Sequence, residues 1–162
     1  MADDPNNNEH HEIGLYEKLA GRTADLLEEG KKTVDEALKK AKEELIKAGD
    51  FSSEQMDKVV SYVRRDLTAH AKTASEAVKK SVDPHRVAVG AQSVFSRILV
   101  ATSDALADLA VKTEKNLEFR TGEVTSPGTL TCKECDAEMH IKTTVRIPPC
   151  PKCHKTVFRK SY

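Results

Sequence analysis

Apolar and small residues recur along the first part of the chain at Tyr16, Leu19, Thr23, Leu26, Gly30, Val34, Leu38, Ala41, Leu45 and Ala48. The repeat averages about 3.6 residues, the period of one stripe on an α-helix. Because the stripe keeps its phase through Gly30, the pattern favours one long helix. A competing signal follows the glycine, where Thr33-Val-Asp-Glu36 has the form of a capping box that would start a new helix. Ala48-Gly49-Asp50 then offers a glycine C-cap. Ser52 with Gln55, and Phe51 with Met56, spell the cap and hydrophobic staple of a second helix. Its stripe is Met56, Val60, Val63, Leu67, Ala71, Ala74 and Val78, stopping near Ser81.

Asp83-Pro84 gives a third helix start, and the stripe Phe95, Ile98, Thr102, Leu106, Leu109, Thr113, Leu117 follows. Short connections near 50 and 83 make the helices antiparallel neighbours. The expected fold is mainly α, an elongated antiparallel three-helix bundle with coiled-coil-like packing over residues 12–120. His70 and His85 lie beside the stripes and read as surface or boundary residues. Charges such as Lys39-Lys40-Ala41-Lys42-Glu43-Glu44 read as a solvated outer face.

Past residue 128 the period drops to two. Met139, Ile141, Thr143, Val145 and Ile147 alternate with His140, Lys142, Thr144 and Arg146, as on a strand. Thr129-Leu130-Thr131 precedes it as a short strand, and Thr156 to Lys160 can supply a third. Residues 129–162 are therefore expected to form a small C-terminal three-stranded β unit. Residues 121–128, punctuated by Gly and Pro, read as a linker, and the polar residues 1–11 as a disordered tail. The paired His10 and His11 on that tail read as solvated.

Cysteine usage gives the C-terminal unit its chemistry. All four cysteines lie there, as Cys132-Lys-Glu-Cys135 and Cys150-Pro-Lys-Cys153. Two such pairs, separated by enough chain for a hairpin, are the ligand pattern of a zinc ribbon. Four thiolates close a tetrahedral site around one Zn2+ with no open position for substrate, so the metal is expected to be structural. Asp136 and His154 occupy the knuckle position where glycine is usual, and both residue types tolerate left-handed backbone. A redox dithiol would belong on a βαβ scaffold that the pattern lacks, and a rubredoxin-like iron site would have only Phe158 and Tyr162 as aromatic cover. Cys150-Pro-Lys-Cys153-His154 also spells a c-type haem attachment site, but that reading leaves Cys132 and Cys135 unexplained. So small a ribbon cannot bury enough apolar surface alone. Metal removal is therefore expected to unfold residues 128–162 and spare the helices.

Charge is balanced overall, with 26 basic and 26 acidic residues. From Gly128 to Tyr162 there are seven basic against three acidic side chains, and a zinc with four thiolates would bring that segment to roughly +2. This is a weak bias, short of a nucleic-acid footprint. No secretory signal opens the chain, and no apolar run approaches the ~20 residues of a membrane span, so a cytoplasmic setting is expected. No nucleophile and base at diagnostic spacing, phosphate-cradling glycine loop or paired catalytic carboxylates is visible, so the chain is expected not to be an enzyme.

Several segments together resemble a bacterial family of zinc ribbon-containing proteins of unknown function, the YbeL-like proteins. They are Tyr16-Glu17-Lys18-Leu19, Ala48-Gly49-Asp50-Phe51-Ser52, Val63-Arg64-Arg65-Asp66-Leu67, Gly122-Glu123-Val124 and the two knuckles. Thr73 to Ala91 matches least. The resemblance implies a cytoplasmic helical protein with a C-terminal ribbon whose metal ligands are Cys132, Cys135, Cys150 and Cys153, and it supplies no activity. Two function classes remain. One is an adaptor that docks on a protein or ribonucleoprotein partner. The other is RNA or DNA binding through Lys142, Arg146, Lys155, Arg159 and Lys160. The partner's identity and the oligomeric state lie beyond the sequence.

Overall fold

The computed structural model describes residues 5–30, 33–49, 51–79, 98 and 117–162, with side chains described from residue 10 onward and not between 73 and 79. Among the described residues three helices come first: α1 (Pro5–Glu28), α2 (Val34–Lys47) and α3 (Ser53–Lys79). Six short strands, again among the described residues, lie beyond them: β1 (Phe119–Arg120), β2 (Val124–Thr125), β3 (Gly128–Cys132), β4 (Glu138–Ile141), β5 (Val145–Arg146) and β6 (Val157–Ser161).

The single helix expected from Tyr16 to Ala48 is two helices. Gly30 adopts φ +105°, where a side chain would be strained, and its N–H bonds back to Leu27 O at 3.2 Å. Thr33 then caps α2, accepting the Glu36 N–H at 3.2 Å. The stripe misled because Leu26 and Val34 stand eight residues apart, close to two helical turns, so a break between them leaves the phase intact. Each half keeps an apolar face, and the fold turns those faces together. Arg22 of α1 crosses to Glu44 of α2 at 2.6 Å, and Arg64 of α3 meets Asp35 of α2 at 2.6 Å. Both pairs are exposed enough to contribute only tenths of a kcal/mol, about 0.2–1 each.

The polar start of the chain, expected as a tail over residues 1–11, is helical from Pro5. Proline suits the first position of a helix, and extending a helix already nucleated costs little even for polar residues. The cap of α3 is as expected: Ser52 and Gln55 bond reciprocally, Gln55 N–H to Ser52 Oγ at 3.2 Å and Ser52 N–H to Gln55 Oε1 at 3.3 Å. Met56, Val63 and Leu67 are buried, with Val59 in place of Val60 as the fully covered valine. The Asp83-Pro84 start, His85 and nearly all of the third stripe fall outside the described residues. Ile98, from that stripe, is helical and buried in the helical core.

The β unit is larger than the three strands expected. One sheet has the order β1-β6-β3-β4, and β2 pairs with β5 in a second. The alternating run from Met139 to Ile147 is split between the sheets, as β4 on β3 and β5 on β2. Residues expected as a linker therefore contain β2, and β1 extends the sheet back to Phe119. The hydrophobic cores interlock: Val124 of β2 lies in the helical core, while Ala69 of α3 lies with Phe119, Leu130, Ile147 and Phe158 in the ribbon core.

Candidate metal centre

Each cysteine pair sits on a tight turn held by backbone hydrogen bonds. At the first, Asp136 N–H bonds to Cys132 O at 3.1 Å and Cys132 N–H to Ala137 O at 2.9 Å. At the second, His154 N–H bonds to Cys150 O at 2.9 Å and Cys150 N–H to Lys155 O at 3.0 Å. Among the described residues, Asp136 (φ 53°) and His154 (φ 58°) are the two non-glycine positions with left-handed backbone, as the knuckle pattern requires. Asp136 forms an exposed ion pair with Arg159 at 2.7 Å.

These turns bring the four sulfurs within 4.8 Å of one another. Cys132 Sγ lies 3.5 Å from Cys153 Sγ, and Cys135 Sγ lies 3.6 Å from Cys150 Sγ. A disulfide would need about 2.05 Å. Tetrahedral zinc with bonds of about 2.3 Å separates its sulfurs by about 3.8 Å, so the cluster fits that ion nearly as it stands. The electrostatics also favour a cation. The backbone N–H of Cys153, with that of Lys152 assisting, draws the Cys150 thiol down to about 6. The N–H of Lys155 favours the Cys153 thiolate too, but burial and the three neighbouring sulfurs outweigh it and push Cys153 up to about 12. Four sulfurs this close cannot all ionise unaided, and a divalent ion between them removes the conflict.

Behind the ribbon lies a buried polar junction with α3. Asp66 is wholly enclosed. Its Oδ2 accepts from Tyr16 Oη at 2.5 Å, Thr125 Oγ1 at 3.0 Å and Ser126 N–H at 2.8 Å, and Lys160 Nζ stands 3.8 Å away. Lys160 is enclosed as well and donates to Thr125 Oγ1 at 2.7 Å, Ser126 O at 2.6 Å and Ser126 Oγ at 2.9 Å. Burial, only partly offset by Asp66, lowers the Lys160 ammonium to about 8. Tyr162 hydrogen-bonds toward Ser126 and stacks on His70 with ring centroids 3.3 Å apart, so His70 is an interior residue and not the boundary one expected. Arg65, next to Asp66, pairs with Glu123, donates to Val124 O at 3.1 Å and lies 4.1 Å over the Phe119 ring. Segments that carried the family resemblance separately thus meet here, Tyr16 and Arg65-Asp66 against Glu123-Val124.

Periodicity in the sequence carries signals for this junction. Met56, Val59, Val63, Asp66 and His70 follow alternating steps of three and four, which puts the carboxylate and the imidazole on the buried seam of α3. Phe158 and Lys160 of β6 share parity with Tyr162 just after it, so the lysine points inward with the phenylalanine.

Residues 22–161 match the family described as zinc-ribbon containing domain. Uncharacterized protein YbeL of Escherichia coli K12 is 29% identical over 159 residues, covering 90% of this chain and 92% of that protein. The YbeL proteins of strains O6:H1 and O157:H7 match to the same extent. No solved structure matches the chain. No helix among the described residues is long and apolar enough to cross a membrane. The match spans most of the chain and includes both knuckles: this protein belongs to the zinc-ribbon containing domain family.

Proposed function

We propose that Cys132, Cys135, Cys150 and Cys153 bind one structural Zn2+, and that the protein is a non-enzymatic, cytoplasmic interaction module docking on a protein or ribonucleoprotein partner. The carrying observation is the closed cluster of four sulfurs within 4.8 Å, which offers a metal four ligands and no room for a substrate. Reduced thiols require a reducing compartment, which supports the cytoplasmic setting. Nucleic-acid binding has less support. Of the five cations proposed for it, Lys160 is enclosed, Arg146 pairs with Glu12, and Arg159 pairs with Asp136. Lys142, Lys155 and Arg159 are exposed, too few to neutralise a run of phosphates. Elemental analysis of the native protein is expected to give one zinc per chain, and iron, covalent haem or no metal would overturn the assignment. Affinity purification with and without nuclease tests the docking. Sub-micromolar RNA or DNA binding at physiological salt, abolished by replacing Lys142, Arg146 and Arg159 together, would favour the nucleic-acid reading instead.

A further inference from the structure

β6 is anchored at both ends by unrelated chemistry. At its start it leaves the second knuckle, takes the Lys133 N–H on Val157 O at 3.1 Å, and sets Phe158 in register with the ligand Cys132. At its end Lys160 and Tyr162 enter the junction around Asp66 and His70. Between the anchors, the fully buried large apolar side chains of the ribbon core are Phe119, Leu130, Ile147 and Phe158, with Leu117, Met139 and Ile141 only partly covered against them, a small core to hold the register of β3 and β6 against chain entropy without a metal. Asp66 likewise depends on the ribbon: Thr125, Ser126 and Lys160 supply three of the groups around its Oδ2, and α1 supplies Tyr16. With those donors gone, Asp66 keeps only Tyr16 and the neighbouring Arg65, and a buried carboxylate short of donors gains by turning toward solvent.

We propose that β6 is a metal-set latch: a filled four-cysteine site holds Lys160 and Tyr162 against α3, and an emptied one withdraws them and opens the face of α3 that carries Asp66, Ala69 and His70. The helices are then not indifferent to the metal, as the composition shift alone suggested. Linkage requires the converse, that groups at the junction set zinc affinity although none of them is a ligand. The latch rests on the zinc reading above but makes a separate claim.

The test uses the full chain. Zinc affinity is measured by competition with a chromogenic chelator for the wild type, Lys160→Met and, as a control, Lys142→Met. Lys142 is an exposed lysine of the ribbon, outside both knuckles and the junction. Lys160→Met is expected to weaken zinc binding roughly tenfold, within the usual range of coupling between sites, with Lys142→Met unchanged. Equal affinities in all three proteins would overturn the latch while leaving the zinc site intact; absence of zinc binding in the wild type would instead refute the metal reading, and the latch with it. A second measurement needs no variant. Chelating the wild-type protein is expected to speed amide exchange in residues 62–70 of α3 as well as in 128–162. Acceleration confined to 128–162 would overturn the latch.

Discussion

Replacing Asp66 by Asn keeps the shape of the junction and removes its charge. Oδ2 accepts three hydrogen bonds, from Tyr16, Thr125 and Ser126, while Oδ1 faces Arg65 at 3.3 Å. An amide has one oxygen for these two roles. If the oxygen takes the place of Oδ2, the NH2 group points at the Arg65 guanidinium; if it turns over, the NH2 meets three donors. Either way a buried donor loses its acceptor, and the enclosed Lys160 ammonium loses its counter-charge. Breaking a buried pair from one side costs about 3–5 kcal/mol. Arg65 and Lys160 keep backbone acceptors at Val124 and Ser126, so the lower end, about 3 kcal/mol, is the expected loss. In a chain of this size that is about 6–12 °C in Tm. Thermal and urea unfolding of the zinc-loaded protein, followed by circular dichroism, measures it. A loss below about 1 kcal/mol, the net worth of one ordinary hydrogen bond, would refute the argument. The double variant Asp66→Asn/Lys160→Met should lose less than the sum of the two single changes, since each removes the partner that makes the other costly.

His70 gives a pH prediction. Burial holds its imidazole down at about 3, against an ordinary value near 6.5. Between these values the unfolded chain takes up a proton that the folded one refuses, so stability should fall as pH drops from about 6.5 toward 3. His70→Phe, which keeps a ring against Tyr162, should flatten that part of the urea midpoint profile relative to wild type. Thr33→Ala should cost about 1 kcal/mol by removing the cap of α2, seen as a lower urea midpoint. Gly128→Ala should destabilise the ribbon, because at φ +152° its Cβ would lie 2.8 Å from Lys160 Cε and 3.1 Å from Ser161 O. Zinc affinity should fall with it.

The four-cysteine cluster was legible because its ligands come in close pairs and each pair is a local turn. The capping of α3 was legible for the same reason, since Ser52 and Gln55 carry their interaction within one turn. The break at Gly30 was not, because a two-turn interval restores helical phase and periodicity cannot register it; only the capping signal at Thr33 marked it. The junction lay furthest from view. Asp66 and Lys160 look like surface charges in a chain that has many, and their burial depends on partners brought from α1, β2 and the residue following β6. Parity and seam position hinted at their direction, but no local pattern says which buried charges will meet.

That long-range assembly also bears on the order in which contacts form. Helices α1 and α2 meet across a turn of a few residues, a closure whose entropy cost is small. The Tyr162 hydroxyl reaches the carbonyl of Asp66 across 96 residues. Pairings of such high sequence separation form late when nearby ones are available. Asp66 should therefore be hydrated in the folding transition state, with kinetic φ-values near zero for Asp66→Asn and appreciably higher ones for Leu26→Ala and Leu38→Ala in the α1–α2 hairpin. Substitutions at the junction would then act mainly on the unfolding rate, making the buried ion pair a determinant of how long the native state lasts more than of how quickly it is reached.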